Sequence, residues 1–181
     1  IEAFERSCPE LRVSVASGPD AECNQRARRG EIDLLVTHLP FDGGVDEGLP
    51  LVRAPLYYAM SENNPLARKD LVTLAALVDQ ALIYYPCGYE KVFWVPPAKS
   101  RSHSFDNDIL HIYARLYRNE GVMPTPLITA PTRYQGVVYR RYEGPYDTVV
   151  MKGHVIPHPG RSAEREREIF ALRNAMVISG N

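Results

Sequence analysis

A switch in the spacing of apolar residues near the N-terminus is the feature that most limits how this chain can fold. Residues 11–15 alternate between apolar and polar or small side chains, which is the period of a strand with one buried face. A short polar helix is predicted over residues 21–29, because Asp20 can cap its start and Gly30 favours a left-handed helix end. Residues 32–37 are almost continuously apolar or β-branched, as in a strand buried on both faces. The pattern predicts two parallel strands joined by a helix, and therefore an α/β fold.

The rest of the chain continues with alternating helices and strands. Helices are predicted where apolar residues recur at helical spacing, and strands where short apolar runs lie between turn residues. Residues 87–104, rich in aromatic residues and then in Pro, Lys and Ser, are predicted to be extended or looped. The predicted helices cover residues 73–80, 106–120 and 162–176, and the predicted strands cover residues 82–85, 125–132, 136–142 and 147–151.

Charge and composition argue against several classes of protein. The 181 residues include 21 basic and 22 acidic side chains, so the formal net charge is -1. Direct DNA binding is disfavoured, because sequence-independent phosphate binding needs a basic field or a basic face. The longest apolar runs are far shorter than the ~20 residues that span a bilayer. Three widely spaced cysteines suit reduced thiols. We therefore expect a cytoplasmic protein with no membrane partner.

The first residue limits what can be said about the start of the protein. The chain opens on Ile1 instead of Met, inside a predicted helix. We therefore expect residues before Ile1, and a cleaved signal peptide is left open.

Three segments of the N-terminal half, taken in order, resemble one known family. They are the sequence PELRVSV within residues 4–15, RGEIDLLV at residues 29–36 and PLARKDLVTLAAL at residues 65–77. In this order and at these distances they resemble the effector-binding domain of LysR-type transcriptional regulators. The resemblance covers about residues 1–86, and the closing strand and helix are similar to the end of the same domain.

The resemblance implies a two-lobed, periplasmic-binding-protein-like fold of type II with a ligand cleft between the lobes. Lobe I would comprise residues 1–56, lobe II residues 57–145, and residues 146–181 would return to lobe I. It also implies that the first strand of lobe I and a DNA-binding winged helix-turn-helix lie upstream of Ile1. The expected function is to bind a small-molecule effector, anionic or aromatic, in a homo-oligomer such as a homodimer. DNA would be contacted only through the missing N-terminal domain, and the chain would not be an enzyme.

The ends of the predicted strands supply the candidate ligand residues, because α/β modules bind small ligands at the carboxyl ends of parallel strands. Thr37 and His38 end the predicted buried strand, and their hydroxyl and imidazole suit a carboxylate or a polar ring substituent. Ser17 ends the preceding strand in the same way. All three are predicted to bind the ligand, with the alternative that they only close their strands into turns.

A second group of candidates ends the predicted strand of the second lobe. Tyr85, Cys87 and Gly88 follow one another there, and an aromatic ring beside the open backbone of a glycine suits a planar organic ligand. The alternative is that Tyr85 is a packed aromatic next to a loop.

No cofactor and no metal site is predicted. His154 and His158 have the spacing of two zinc ligands on one helix face, but the prolines around them disfavour a helix. Cys87 and His103 would form a nucleophile and a base only through a contact that the sequence does not show. Two alternative functions use the same architecture: a solute-binding protein of a transporter, and an enzyme. No carboxylate pair, phosphate loop or nucleophile motif supports the enzyme.

Overall fold

Hydrogen-bond partners decide which apolar segments of this chain become strands. The structure, a computed structural model, describes residues 5–6, 8, 11–85, 102–126 and 134–177. Its elements after the helical residues Glu5 and Arg6 are, in chain order, α1 (Asp20–Arg28), β1 (Leu34–Thr37), β2 (Leu49–Ser61), a 3-10 helix (Pro65–Arg68), β3 (Leu71–Thr73), α2 (Leu74–Leu77), β4 (Ala81–Tyr84), β5 (Ser102–Phe105), α3 (Ile109–Tyr117), β6 (Val122–Pro126), β7 (Val137–Glu143), β8 (Thr148–Val155) and α4 (Ala163–Ala175).

Two units make up the chain. Unit one comprises Ile1–Arg53 and Val150–Asn181, and unit two comprises Ala54–Val149. No helix in the described ranges is long and apolar enough to cross a membrane.

In unit one, α1 and β1 share a small apolar core. Gly30 follows α1 with a φ of +68°, which confirms the predicted left-handed helix end. Strand β1 pairs antiparallel with β8. Helix α4 begins after Ser162, whose hydroxyl accepts a hydrogen bond from Arg165 N at 3.1 Å. The buried core residues are Ala27, Leu35, Phe41 and Ile156.

Residues 11–15 differ from the strand predicted for them. They have no regular secondary structure, and none of the described strands pairs with them. Strand β1 accordingly lies antiparallel to β8 and has no parallel partner among the described residues. Burial of β1 on both faces is also a wrong prediction, because Val36 is 38% exposed. Alternating apolar residues give a segment one apolar face. A strand also needs a neighbouring strand whose backbone forms hydrogen bonds with its N–H and C=O groups.

Unit two is built on a mixed sheet that is covered on both faces. Its part of β2 pairs antiparallel with β6 and β7, β3 runs parallel to β7, and β4 runs parallel to β5 and β6. Side chains alternate between two apolar clusters, since Tyr58 and Met60 belong to one and Ala59 to the other. The same alternation holds along β4, with Leu82 and Tyr84 in the first cluster and Ile83 in the second.

Helix α3 covers the second cluster. Its buried residues Ile112 and Leu116 are one turn apart and pack with Ile83, which confirms the helix predicted from their spacing. Asp108 caps its first turn by accepting hydrogen bonds from Leu110 N at 2.9 Å and from His111 N at 3.3 Å. By contrast, α2 is a single turn, shorter than the helix predicted over residues 73–80, and Thr73 before it makes no side-chain capping bond.

Candidate functional site

Three parallel strands of unit two end along one edge of its sheet. Strand β4 ends at Tyr84, β5 at Phe105 and β6 at Pro126. Because β5 and β6 are both parallel to β4, these three ends lie on the same side. We call this the carboxyl edge, defined by Tyr84, Tyr85, Phe105, Thr125 and Pro126. Ligands of α/β sheets collect at such an edge, so it is the candidate site of unit two.

Aromatic side chains form the carboxyl edge. The Tyr84 ring stacks on His103, with 6.1 Å between ring centroids, and on Phe105, with 5.6 Å. Tyr84 is buried, whereas Phe105 is 57% and Tyr85 is 41% exposed. The backbone N–H of Asp106 donates to Tyr84 O at 2.9 Å, which holds the ends of β4 and β5 together. The exposed aromatic surface next to this buried stack can pack against a planar ligand.

The stack at the carboxyl edge is not predicted by the sequence, because residues 87–104 read as extended or looped. The structure places Ser102–Phe105 in a strand that pairs with β4. A signal is nevertheless present: His103 and Phe105 are two residues apart, so a strand puts both rings on one face.

In unit one, the predicted ligand residues Thr37 and His38 end β1 as expected. Thr37 is 2% exposed, and its hydroxyl oxygen accepts a hydrogen bond from Leu39 N at 3.0 Å. The hydroxyl therefore already closes the strand into its turn, as the alternative interpretation requires. His38 is half-buried. An effector contact of either residue stays a prediction.

A cavity of about 490 Å³ lies in unit one beside β1. The predicted ligand residue Ser17 lines it, whereas Thr37 and His38 are not among the described residues around it. The other walls come from residues 11–18, residues 31–36, α1 and α4. Helix α1 contributes Cys23 and Arg26, and α4 with the residue after it contributes charged and apolar side chains, namely Arg165, Glu168, Ile169, Leu172 and Met176.

One wall of this cavity is the unpaired edge of a strand. Ile156 N donates to Asp33 O at 3.0 Å, so Asp33 is bonded to the strand on the β8 side. In an antiparallel pair every second residue forms such bonds, and the N–H and C=O groups of Leu34 and Val36 therefore point away from β8. No described residue pairs with that side of β1. The cavity therefore offers N–H and C=O groups along one side and apolar side chains on another.

The remaining predicted ligand residues, Cys87 and Gly88, lie outside the described residues, as does the possible contact of Cys87 with His103. The described part of the chain contains no group of three His, Cys, Asp or Glu side chains placed to hold a metal ion. His154 is buried in β8 and His158 is exposed after it.

His154 is a polar residue in the core of unit one; from the sequence it is considered only as a possible zinc ligand, and its burial is not predicted. It is 1% exposed, and neither ring nitrogen has a hydrogen-bond partner among the described residues. Burial, followed by the charge of Lys152, lowers the pKa of His154 below its ordinary value of 6.5, and the charge of Asp46 partly opposes this. The imidazole is thus neutral at pH 7.

Comparisons with known proteins identify the family. The family described as LysR substrate binding domain matches residues 1–107. A comparison with curated protein sequences gave no match.

Solved structures share the fold over nearly the whole chain. The oxidised form of OxyR superposes with a TM-score of 0.79 at 17% identity, covering 97% of this chain and 85% of that one. The effector binding domain of a BenM variant gives a TM-score of 0.77 at 14% identity, covering 97% and 85%. Full-length CbnR in complex with its target DNA gives 0.75 at 16% identity, covering 98% of this chain and 65% of CbnR.

These likenesses confirm the predicted α/β, periplasmic-binding-protein-like fold. The family match extends over more than half of the 181 residues and includes all three segments on which the resemblance rested. The chain belongs to the LysR substrate binding domain family and is homologous to the effector-binding domains of LysR-type transcriptional regulators.

Proposed function

We propose that this domain binds a small organic effector, anionic or aromatic, and passes the binding signal to an N-terminal helix-turn-helix that the present sequence does not contain. The observation that carries the proposal is the carboxyl edge of unit two, where exposed Phe105 and Tyr85 lie beside the buried Tyr84 stack. Aromatic faces of this kind bind planar rings, and a few polar groups set the orientation of the ligand.

The effector contacts that we propose are Thr37, His38 and Ser17 from unit one and Tyr85, Cys87 and Gly88 from unit two. Thr37 is the last residue of β1, His38 follows it, and the two would supply the polar contacts. Binding can shift the domain only by the difference in effector affinity between its two conformations. Signalling to DNA in this way requires no reaction, and we propose that the domain catalyses none.

We also propose that units one and two correspond to lobes I and II and that a further strand completes unit one. Two observations support the strand: the unpaired edge of β1 at Leu34 and Val36, and the cavity beside that edge. The strand would be the first strand of lobe I, expected upstream of Ile1. On this view the protein's own backbone fills the part of the cavity that lies beside β1.

The assembly and its place in the cell follow from the proposed role. We propose a homo-oligomer, such as a homodimer, that contacts DNA only through its helix-turn-helix parts. CbnR has been solved at full length with its target DNA, and this chain corresponds to 65% of that protein. Because such a regulator acts on the chromosome of a bacterium, we propose a cytoplasmic location.

Effector binding can be tested with defined carboxylates. Native mass spectrometry of the purified chain should show a small-molecule adduct, and benzoate or succinate should raise Tm in a thermal-shift titration. His38→Ala should weaken the binding of the carboxylate that responds by roughly 1–3 kcal/mol, since a polar contact is lost. The unliganded Tm should change little.

The matched control is His158→Ala, which removes an exposed imidazole from the same unit and should leave affinity unchanged. Equal affinities for the wild type and His38→Ala would remove His38 from the site. The absence of any carboxylate response and of any adduct would contradict the anionic effector.

A further inference from the structure

The imidazole of His154 is enclosed by apolar and backbone atoms. His154 lies on β8 opposite Leu35 of β1. The Phe41 ring meets the imidazole edge to face, with 5.4 Å between centroids and 71° between planes. A buried polar side chain without partners is costly and calls for an explanation beyond packing.

A glycine-containing segment covers the ring. We call residues 41–48 the cover loop. A Cβ atom at Gly44 would lie 3.4 Å from His154 Nδ1, and one at Gly48 would lie 2.7 Å from both ring nitrogens. The main chain of the cover loop therefore rests directly on the imidazole, leaving no room there for the water that a charged ring would need.

The cover loop is anchored at its start, where Phe41 lies in the core and Asp42 pairs with Arg28, but few contacts hold residues 43–48 in place. Val45 N donates to Val155 O at 2.9 Å, and Arg173 Nη1 of α4 donates to Asp46 Oδ2 at 2.6 Å. Lys152 Nζ reaches Glu47 O at 3.4 Å, a long contact. A segment with so few attachments can open at a much smaller free-energy cost than the whole domain.

The charges around His154 favour its neutral form. Its own strand contributes Lys152, α4 contributes Arg173, and the cover loop contributes Asp46. Further out, Asp42 is paired with Arg28, which lies 5.3 Å from the centre of the Phe41 ring.

Asp46 does not titrate near neutral pH. Burial acts to raise the pKa of Asp46, but the hydrogen bonds from Arg173 and from Gly48 N outweigh it, so the pKa falls below its ordinary value. Asp46 therefore remains a carboxylate bound to Arg173 over the range in which His154 can gain a proton.

We propose that His154 is a pH-sensitive latch: the cover loop closes over the neutral imidazole and opens when the ring is protonated. An imidazolium at this position would need a hydrogen-bond acceptor, and the carboxylate of Asp46 in the cover loop is already held by Arg173. Opening of the loop lets water reach the ring and separates Val45 from Val155. The loop begins three residues after His38, so opening alters the segment that follows the proposed effector contacts.

The direction of the pH effect follows from proton linkage. The open state exposes a histidine with the ordinary pKa of 6.5, whereas the pKa in the closed state is lower. The open state therefore binds more protons than the closed state. The closing equilibrium has its highest value above pH 6.5 and falls as the pH drops through the interval between the two pKa values. With one proton involved, the closing equilibrium changes by up to about tenfold per pH unit in that interval.

Hydrogen exchange at the Val45 amide measures this equilibrium without any effector, so it tests the latch separately from the proposed function. The protection factor of Val45 in the wild type should be constant above pH 7 and should fall, by up to about tenfold per unit, between pH 6.5 and pH 5. In His154→Leu, which keeps an apolar side chain under the loop, the factor should not depend on pH. The exposed-histidine control His158→Asn should behave as the wild type.

Two results overturn the proposal: a pH-independent protection factor in the wild type, or the same pH dependence in His154→Leu. Should His154→Leu fail to fold, the wild type alone decides. In an NMR titration, the His154 ring must then gain its proton only within the pH range in which Val45 loses its protection. A ring that titrates while the cover loop stays protected contradicts the latch.

Discussion

Two glycines with almost the same φ differ in the room that a Cβ atom would have. Comparing them separates the free-energy cost of a left-handed backbone from the cost of steric overlap. Gly48 has a φ of +80° and Gly160 a φ of +81°. A Cβ at Gly48 would press into the His154 ring, whereas one at Gly160 would meet no atom within 4 Å. Alanine at either position carries the left-handed penalty of about 1–2 kcal/mol, and only at Gly48 does it add overpacking of roughly 1–3 kcal/mol.

We therefore expect Gly48→Ala to lower the free energy of unfolding more than Gly160→Ala, by roughly 1–3 kcal/mol. Urea unfolding followed by circular dichroism measures both variants under the same conditions. Equal losses would mean that the cover loop moves away from His154 at little cost, and the contact between Gly48 and the ring would then have no energetic weight.

At the same scale, the sequence shows which residues end strands but not which side chains are enclosed. Thr37 and His38 can be placed at the end of β1 because the apolar run stops there. The burial of His154 cannot be predicted, since it depends on the register of β8 against β1 and on a loop more than a hundred residues earlier in the chain. Local alternation contains neither piece of information.

The helices and strands of this chain can be predicted where the residues that stabilise an element lie within that element. Helix α3 has an apolar face at helical spacing and a cap, and both are encoded locally. Strand β5 and residues 11–15 depend on partners instead. Ser102–Phe105 becomes a strand because β4 lies beside it, although two of its four residues are serines. Residues 11–15 alternate correctly yet remain irregular, because no described strand pairs with them.

The cap of α3 gives a direct test at the level of one element. Asp108→Ala removes the acceptor for Leu110 N and His111 N, and we expect a loss of about 0.5–2 kcal/mol in the free energy of unfolding. Asp108→Asn keeps an oxygen acceptor and should retain most of the stability. Thermal unfolding of the two variants checks this. A loss from Asn as large as that from Ala would show that the charge of Asp108, and not its capping bond, stabilises the helix.

At the scale of the whole molecule, the basic residues near the end of α1 could suggest a surface for nucleic acid. The structure shows them in ion pairs. Arg28 lies 2.5 Å from Asp42, and Arg26 and Arg29 lie 3.6 and 3.7 Å from Glu31. With a formal net charge of -1 as well, the chain has little positive potential to attract phosphates. This agrees with the proposal that the DNA contacts belong to another domain.

We expect the isolated 181-residue chain to bind a fluorescein-labelled duplex of random sequence negligibly at 150 mM salt, because few counterions would be released on contact. Fluorescence anisotropy at 50 and 150 mM salt measures this. The matched variant Glu31→Gln with Asp42→Asn frees the three arginines without changing their number, and it should gain weak binding at 50 mM salt that disappears at 150 mM. Micromolar, salt-sensitive binding by the wild type would contradict the assignment of DNA recognition to a separate domain. It would show that ion pairing does not neutralise the end of α1.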